Sequence, residues 1–277
     1  MGPTTAALAA QSKIDCRSSE PIRIAVANRL FAQEGCDFRP QFFEEVKEHF
    51  GAVPELVDFQ ENAAAATKKI NDWVAQQTRD RIRDLIPQVL EPATRLVLAN
   101  AFYLKAPWAT PSPAGATEPE PLNVQGKVAT DIPMMRQKAH FRYAKRDGFT
   151  AVALPYFGGE LQFVVLISDA VDGVPGVEAK LTAAMIADCA RMDEKEIALH
   201  LPKFKFEPPT LPLTQPLQAL GMTTAFDIPP GSANFDRMAP RKPNDYLAIS
   251  DVFHKTFVAV DENGTGFVEK VVRRQKF

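Results

Sequence analysis

The nine residues from Leu96 to Leu104, LVLANAFYL, are apolar throughout except Asn100, counting Tyr103 as apolar. Strict alternation is absent, so a strand here needs cover on both faces, and an interior strand flanked by helices or a second sheet is expected. A buried side-chain amide without partners costs about 1–3 kcal/mol. Asn100 must therefore be hydrogen-bonded to something specific, as a satisfied core amide or as a latch between strands.

The length of 277 residues suits one large domain or two small ones. With 45% hydrophobic and 24% charged residues, the composition is that of an ordinary globular protein. A balance of 32 basic against 34 acidic side chains gives no reason to expect nucleic acid as a partner. No apolar run approaches the roughly 20 residues needed to span a bilayer, so no membrane partner is expected. The alanine-rich patch Thr5–Ala10 lacks a basic start and an apolar core, and gives no convincing signal peptide. Cys16, Cys36 and Cys189 form no CxxC pair, and all three are expected to be free thiols.

Residues 1–20 carry no period and are expected as a frayed lead-in. Ile22–Phe31 reads as a strand. Phe42, Phe43, Val46 and Phe50 share a helical face over Arg39–Phe50, which Gly51 should end. Leu56–Phe59 reads as a short strand, and Asn62 as the N-cap of a helix reaching about Thr78. The charged run Arg79–Asp84 is expected on a solvated, self-pairing surface. Ala109–Leu122, rich in proline, reads as a loop. Strands are expected at Ile132–Tyr143, Thr150–Tyr156, Leu161–Ile167 and Glu196–Leu201, with Gly158-Gly159 marking a hairpin. Val177–Arg191 and Leu213–Met222 read as helices. This mixture points to an α+β fold with more than one sheet. In the last strand, Val252–Val260, one face would carry Val252, His254, Thr256, Val258 and Val260.

Catalytic signatures are missing from the sequence. There is no GxSxG, GxGxxG, phosphate-binding glycine loop or HExxH, and His49, His140, His200 and His254 lack ligand spacing. No cofactor and no metal site are expected. Cys189 and His200 could be imagined as a hydrolase pair, but each reads better as a structural residue. The chain does not read as an enzyme.

Several stretches, in order, resemble the serpin family. LVLANAFYLKAPW (Leu96–Trp108) is similar to the long central strand of that family, and IAVANRLF (Ile24–Phe31) to its second strand. NDWVAQQTRDRIRDLIP (Asn71–Pro87) resembles the helix lying across the large sheet and the segment after it. PMMRQ (Pro133–Gln137) and LPKFKFE (Leu201–Glu207) are further matches, and SDVFHKTFVAVDENGT (Ser250–Thr265) resembles the strand entering the reactive loop. The resemblance implies a large central sheet crossed by a helix, with smaller sheets beside it. It also implies that His254 and Asn100 pair by a hydrogen bond where the large sheet opens, with Trp108 at the top of the same opening, as conformational-control residues. Asp261, Glu262, Gly264 and Thr265 would form the approach to the hinge. It implies serine or cysteine proteases as partners and an extracellular location.

Serpins inhibit by presenting a bait loop that inserts into the large sheet after cleavage, and insertion favours small hinge residues. Here the family pattern ends at Thr265, and Gly266-Phe267-Val268-Glu269-Lys270 follows. Residues 21–265 are therefore expected as a partial serpin domain and 266–277 as an aberrant tail, with reactive loop and C-terminal strands missing and the gene product truncated or frameshifted. Three readings stand: a serine-type endopeptidase inhibitor represented by an incomplete chain, a non-inhibitory serpin-like binding protein, and a nonfunctional fragment. An exposed sheet edge would permit strand-mediated self-association.

Overall fold

The computed structural model describes residues 22–124, 127–189, 191–243 and 245–276. The chain divides into two compact units. One holds Leu104–Lys205 and Val258–Gly266, and the other Ile24–Tyr103, Phe206–Phe257 and Phe267–Phe277.

The second of these is built on a large sheet. Its first strand, β1 (Arg23–Gln33), pairs in parallel with β2 (Val53–Val57), Arg29 opposite Val53 and Gln33 opposite Val57. Parallel pairing requires a crossover, and helix α1 (Pro40–Phe50) supplies it. Gly51 ends α1 as expected: at φ 62° it is left-handed, and its amide donates to the carbonyls of Lys47 and Val46.

Helix α2 (Phe59–Gln77) begins earlier than the sequence suggests. Asp58 is the N-cap, accepting from the amides of Gln60 (3.1 Å) and Glu61 (3.0 Å). Buried Gln33 adds an acceptor for Phe59 N at 2.6 Å and donates to Asp58 at 3.2 Å. The expected strand at Leu56–Phe59 thus stops at Val57. Asn62 keeps its expected capping role for the main length of the helix: it departs from helical geometry (φ −139°, ψ 50°) and its Oδ1 accepts from Ala65 N at 3.4 Å, with a short turn from Phe59 set in front of it. Trp73 of α2 packs edge-on against Phe31 of β1, ring centroids 6.0 Å apart. After the helix, Asn71 clamps the chain through both its amide atoms to the backbone of Ile86, each at 3.0 Å. The run Arg79–Asp84 is only partly solvated: Arg79 lies over the Tyr103 ring, Arg81 over Phe257, and Ile82 is fully buried.

The central apolar run forms β3 (Thr94–Pro107). In the other unit, β4 (Thr117–Val124), β5 (Lys127–Arg146), β6 (Phe149–Pro155), β7 (Gln162–Ser168) and β8 (Glu194–Pro202) make a second sheet. Its order is β4-β5-β6-β7, with β8 also on β5. Strand β4 corrects the loop expected at Ala109–Leu122. Pro119 and Pro121 cannot donate to a ladder, and β4 tolerates them because it terminates the sheet. The helix expected at Val177–Arg191 is instead two, α3 (Val174–Lys180) and α4 (Ala183–Cys189). Leu181 is extended between them, and the Thr182 hydroxyl caps the second by accepting from Met185 N. Phe149, Ala151, Ala153, Val177, Cys189 and Met192 form the core between these helices and the sheet.

The remaining elements are β9 (Phe204–Phe206), β10 (Leu211–Pro212), α5 (Thr214–Ala219), β11 (Ala248–Asp261) and β12 (Gly264–Lys276). Along the large sheet the order is β10-β11-β12-β3-β1-β2. The segment that the sequence sets apart as a tail is therefore an interior strand, seated between β11 and β3. Its bulky residues are accommodated: Val268 is buried, Phe267 meets Phe102 of β3 at 6.0 Å, and Val271 packs on the Phe226–Ile249–Val252 cluster.

Candidate functional site

The residues singled out from the sequence fall into two groups. The first surrounds the turn joining β11 to β12. Asp261 Oδ1 accepts from Asn263 N (2.8 Å) and Gly264 N (3.1 Å), closing a tight reversal of the kind antiparallel neighbours need. Trp108 anchors this turn. Its indole Nε1 donates to the Asp261 carbonyl at 2.9 Å and its backbone amide to the Asn263 carbonyl at 2.9 Å. The indole is stacked on Tyr156, centroids 4.8 Å apart, and also meets Phe163. Burial pushes the Tyr156 phenol up to about 12.

Glu262 is 7% exposed and fully engaged. Its carboxylate accepts from Lys203 Nζ at 2.9 Å and from the Thr117 hydroxyl at 2.8 Å. The Lys203 hydrogen bond is the largest influence holding the Glu262 carboxyl below its ordinary range, and Glu262 in turn raises the Lys203 ammonium. Gly264 has no room for a side chain: a Cβ would stand 2.2 Å from the Ala106 carbonyl oxygen. Thr265 is buried beside it. The geometry therefore brings Trp108 together with Asp261, Glu262, Gly264 and Thr265. Tyr156, Lys203 and Thr117, which complete the group, carry no signal in the sequence that separates them from ordinary strand residues.

The second group contains Asn100 and His254. Asn100 of β3 donates from Nδ2 to Asn28 Oδ1 of β1 at 2.6 Å, and Asn28 donates to the Phe50 carbonyl that ends α1 at 2.9 Å. Asn28 interrupts an apolar strand as Asn100 does, and that shared irregularity is the signal that could have paired them. His254 of β11 has a buried Nδ1 without a hydrogen-bond partner, 3.8 Å from Glu269 Oε1 of β12. The hydrogen bond between Asn100 and His254 implied by resemblance is not formed. The sheet order gives the reason: β12 lies between β3, which carries Asn100, and β11, which carries His254.

Neither group has the parts of a catalytic centre. Cys36 and Cys189 are free thiols whose titration is raised by burial, which withholds the reactive thiolate, and Cys16 lies outside the described residues. His200 is engaged with Glu120 at 3.0 Å. Among the described residues no cluster of His, Cys, Asp or Glu could hold a metal ion. The first group surrounds the turn between β11 and β12, and the second lies on the two strands beside β12.

A family profile described as serpin (serine protease inhibitor) matches residues 5–274. The chain belongs to the serpin family. An uncharacterized serpin-like protein of Thermococcus kodakarensis is 36% identical over 247 residues, covering 88% of this chain and 55% of that relative. Human plasminogen activator inhibitor 2 is 34% identical over 247 residues, covering 86% and 58% respectively. The chain thus spans little more than half the length of these curated serpins. Among solved structures, emu ovalbumin superposes with a TM-score of 0.87 at 27% identity, covering 98% of this chain and 70% of that one. A cleaved, loop-inserted ovalbumin mutant gives 0.86 at 28% identity, covering 92% and 67%. The α+β serpin fold read from the sequence is therefore the fold of this chain.

Proposed function

We propose that the protein is a protease-directed serpin and that chain 1–277, in the conformation described, is not an active trap. One observation supports this: β12 occupies the position between β11 and β3. Serpin inhibition draws on free energy released when a cleaved loop adds a strand to the large sheet. With residues 264–276 in that position, insertion has nothing left to release. Relatives named plasminogen activator inhibitor 2 and leukocyte elastase inhibitor support a protease as the partner class, with serine proteases the first to test. The extracellular expectation draws no support from these names. Trp108, Asp261, Glu262, Gly264 and Thr265 act here as the anchor of the turn that sends β12 into the sheet, and Asn100 and His254 as residues of the strands flanking it.

The test is incubation of the purified chain with trypsin, chymotrypsin, pancreatic elastase and papain, followed by denaturing gel and intact mass. The expected outcome is cleavage or indifference, with no SDS-stable adduct. A single adduct at the summed mass of chain and protease would overturn the proposal. A cooperative melt with a sharp near-UV signal would separate a non-inhibitory binding protein from a nonfunctional fragment, which would be molten or aggregating.

A further inference from the structure

Strand β7 (Gln162–Ser168) terminates the second sheet, and its outer edge pairs with no strand among the described residues. It differs from the other strands that end a described sheet. Strand β2 carries Pro54 and Glu55, β4 carries Pro119 and Pro121, β8 carries Lys195 and Pro202, β9 carries Lys205, and β10 carries Pro212. Proline and charge on an edge discourage pairing with another chain. Strand β7 reads QFVVLIS and has neither. The strand itself is firmly held. Val164 and Leu166 pack on the cluster of Phe149, Val177 and Cys189, and Phe163 meets the Trp108 indole. Ile167 stays 48% exposed, and Val171 and Val174 just beyond it are exposed as well.

The register on β6 determines which backbone groups the edge presents. Tyr156 N donates to the Leu161 carbonyl at 2.9 Å and Asp169 N to the Gly148 carbonyl at 3.0 Å, and Val165 lies opposite Val152. Hydrogen-bonded and non-bonded pairs alternate along an antiparallel ladder. Phe163, Val165 and Ile167 therefore direct their backbone groups at β6, and Gln162, Val164, Leu166 and Ser168 direct theirs outward. A partner strand must meet those groups without bringing a charge against the apolar row. The sequence of β7 satisfies this with itself. In an antiparallel pair centred on Val165, Gln162 faces Ser168, Val164 faces Leu166 and Phe163 faces Ile167. The first two of these pairs fall on outward-facing backbone groups, so the ladder bonds can form, and polar meets polar while apolar meets apolar. Just beyond the strand, Glu160 would face Ala170 and Asp169 would face Leu161, so no like charges meet. We propose that β7 is a homodimerisation edge, pairing antiparallel with β7 of a second copy about a twofold axis at Val165. Among the described residues each chain offers one such edge, so the pairing closes at the dimer.

A single strand pairing belongs with the smallest interfaces, so dissociation is expected in the micromolar to millimolar range. Sedimentation velocity of the full chain across that range should show monomer passing to dimer and no larger species. The amides of Val164 and Leu166 should exchange more slowly as concentration rises. Val165→Cys sets a thiol opposite its own copy, and mild oxidation should give a disulfide joining two peptides that both contain position 165. Ile167→Cys faces Phe163 of the second copy and should give no such self-link. Ile167→Lys alters an exposed position that enters the interface twice, and it should weaken the dimer at least tenfold; it decides the matter if Val165→Cys fails to fold. A monomer throughout the range, growth beyond the dimer, equal self-linking at the two cysteine positions or wild-type association in Ile167→Lys would overturn the proposal. So would full protection of the Val164 and Leu166 amides in the dilute monomer, which would mean that residues 1–21 cover the edge.

Discussion

The indole of Trp108 lies flat on the ring of Tyr156, their planes 4° apart and their centroids at 4.8 Å, while its Nε1 reaches the Asp261 carbonyl at 2.9 Å. One side chain therefore ties the second sheet to the turn from which β12 departs. Trp108→Phe keeps most of the stacking surface and deletes the donor, leaving the Asp261 carbonyl without that partner. A loss of about 1–3 kcal/mol is expected from the unsatisfied carbonyl, measured as a lower urea midpoint at unchanged slope.

Gly264 is fixed by close approach and not by an unusual backbone angle. A methyl group there would stand 2.2 Å from the Ala106 oxygen and 2.8 Å from the Pro107 Cα, both backbone atoms that cannot rotate away. Gly264→Ala should cost on the order of 1–3 kcal/mol or more, as overpacking does. Gly266, where a Cβ meets nothing within 4 Å, is the control. Gly266→Ala should leave the urea midpoint near that of the wild type.

Glu262 makes stability depend on acid. Its folded carboxyl titrates below the ordinary range because Lys203 and Thr117 donate to it. The sign follows directly: the contribution is present above the unfolded glutamate value, about 4.3, and is lost as pH falls through the lower folded value. The stability difference between the wild type and Glu262→Gln should therefore be full near neutrality and shrink below about pH 4. A difference that stays constant across that window would contradict the ion pair.

The bond from Asn100 to Asn28 should behave as a coupled pair. Each single change to alanine deletes a hydrogen bond between two half-buried amides, at about 0.5–1.5 kcal/mol. The double mutant should cost less than the sum, with an interaction energy of about 0.5–3 kcal/mol. Additive losses in the denaturant cycle would mean that the bond contributes nothing specific.

Local chemistry was legible in the sequence where it acts locally. Gly51 stops α1 and Gly158-Gly159 reverse the chain after β6, because both steps need backbone angles that glycine adopts freely. The run Leu96–Leu104 announced an interior strand because no alternation was present. Errors arose where a nearby side chain overrode the pattern. Asp58 and Gln33 together added a turn to α2 ahead of the Asn62 cap, Thr182 split one expected helix into two, and an edge position made room for Pro119 and Pro121. The place of β12 was illegible for a different reason. Alternation along a strand says which face is buried but not which strands stand beside it, and pairing with β3 joins residues far apart in sequence. The expected bond between Asn100 and His254 failed with it, since a strand now stands between them.

The central claim is that residues 264–276 form an interior strand, and hydrogen exchange resolved by mass spectrometry tests it most directly. Peptides covering 264–276 should exchange as slowly as those covering Leu96–Leu104 of β3, because amides in the middle of a sheet open only with extensive unfolding. Exchange of 264–276 within seconds, while β3 stays protected, would contradict the account and return the position between β11 and β3 to an open slot.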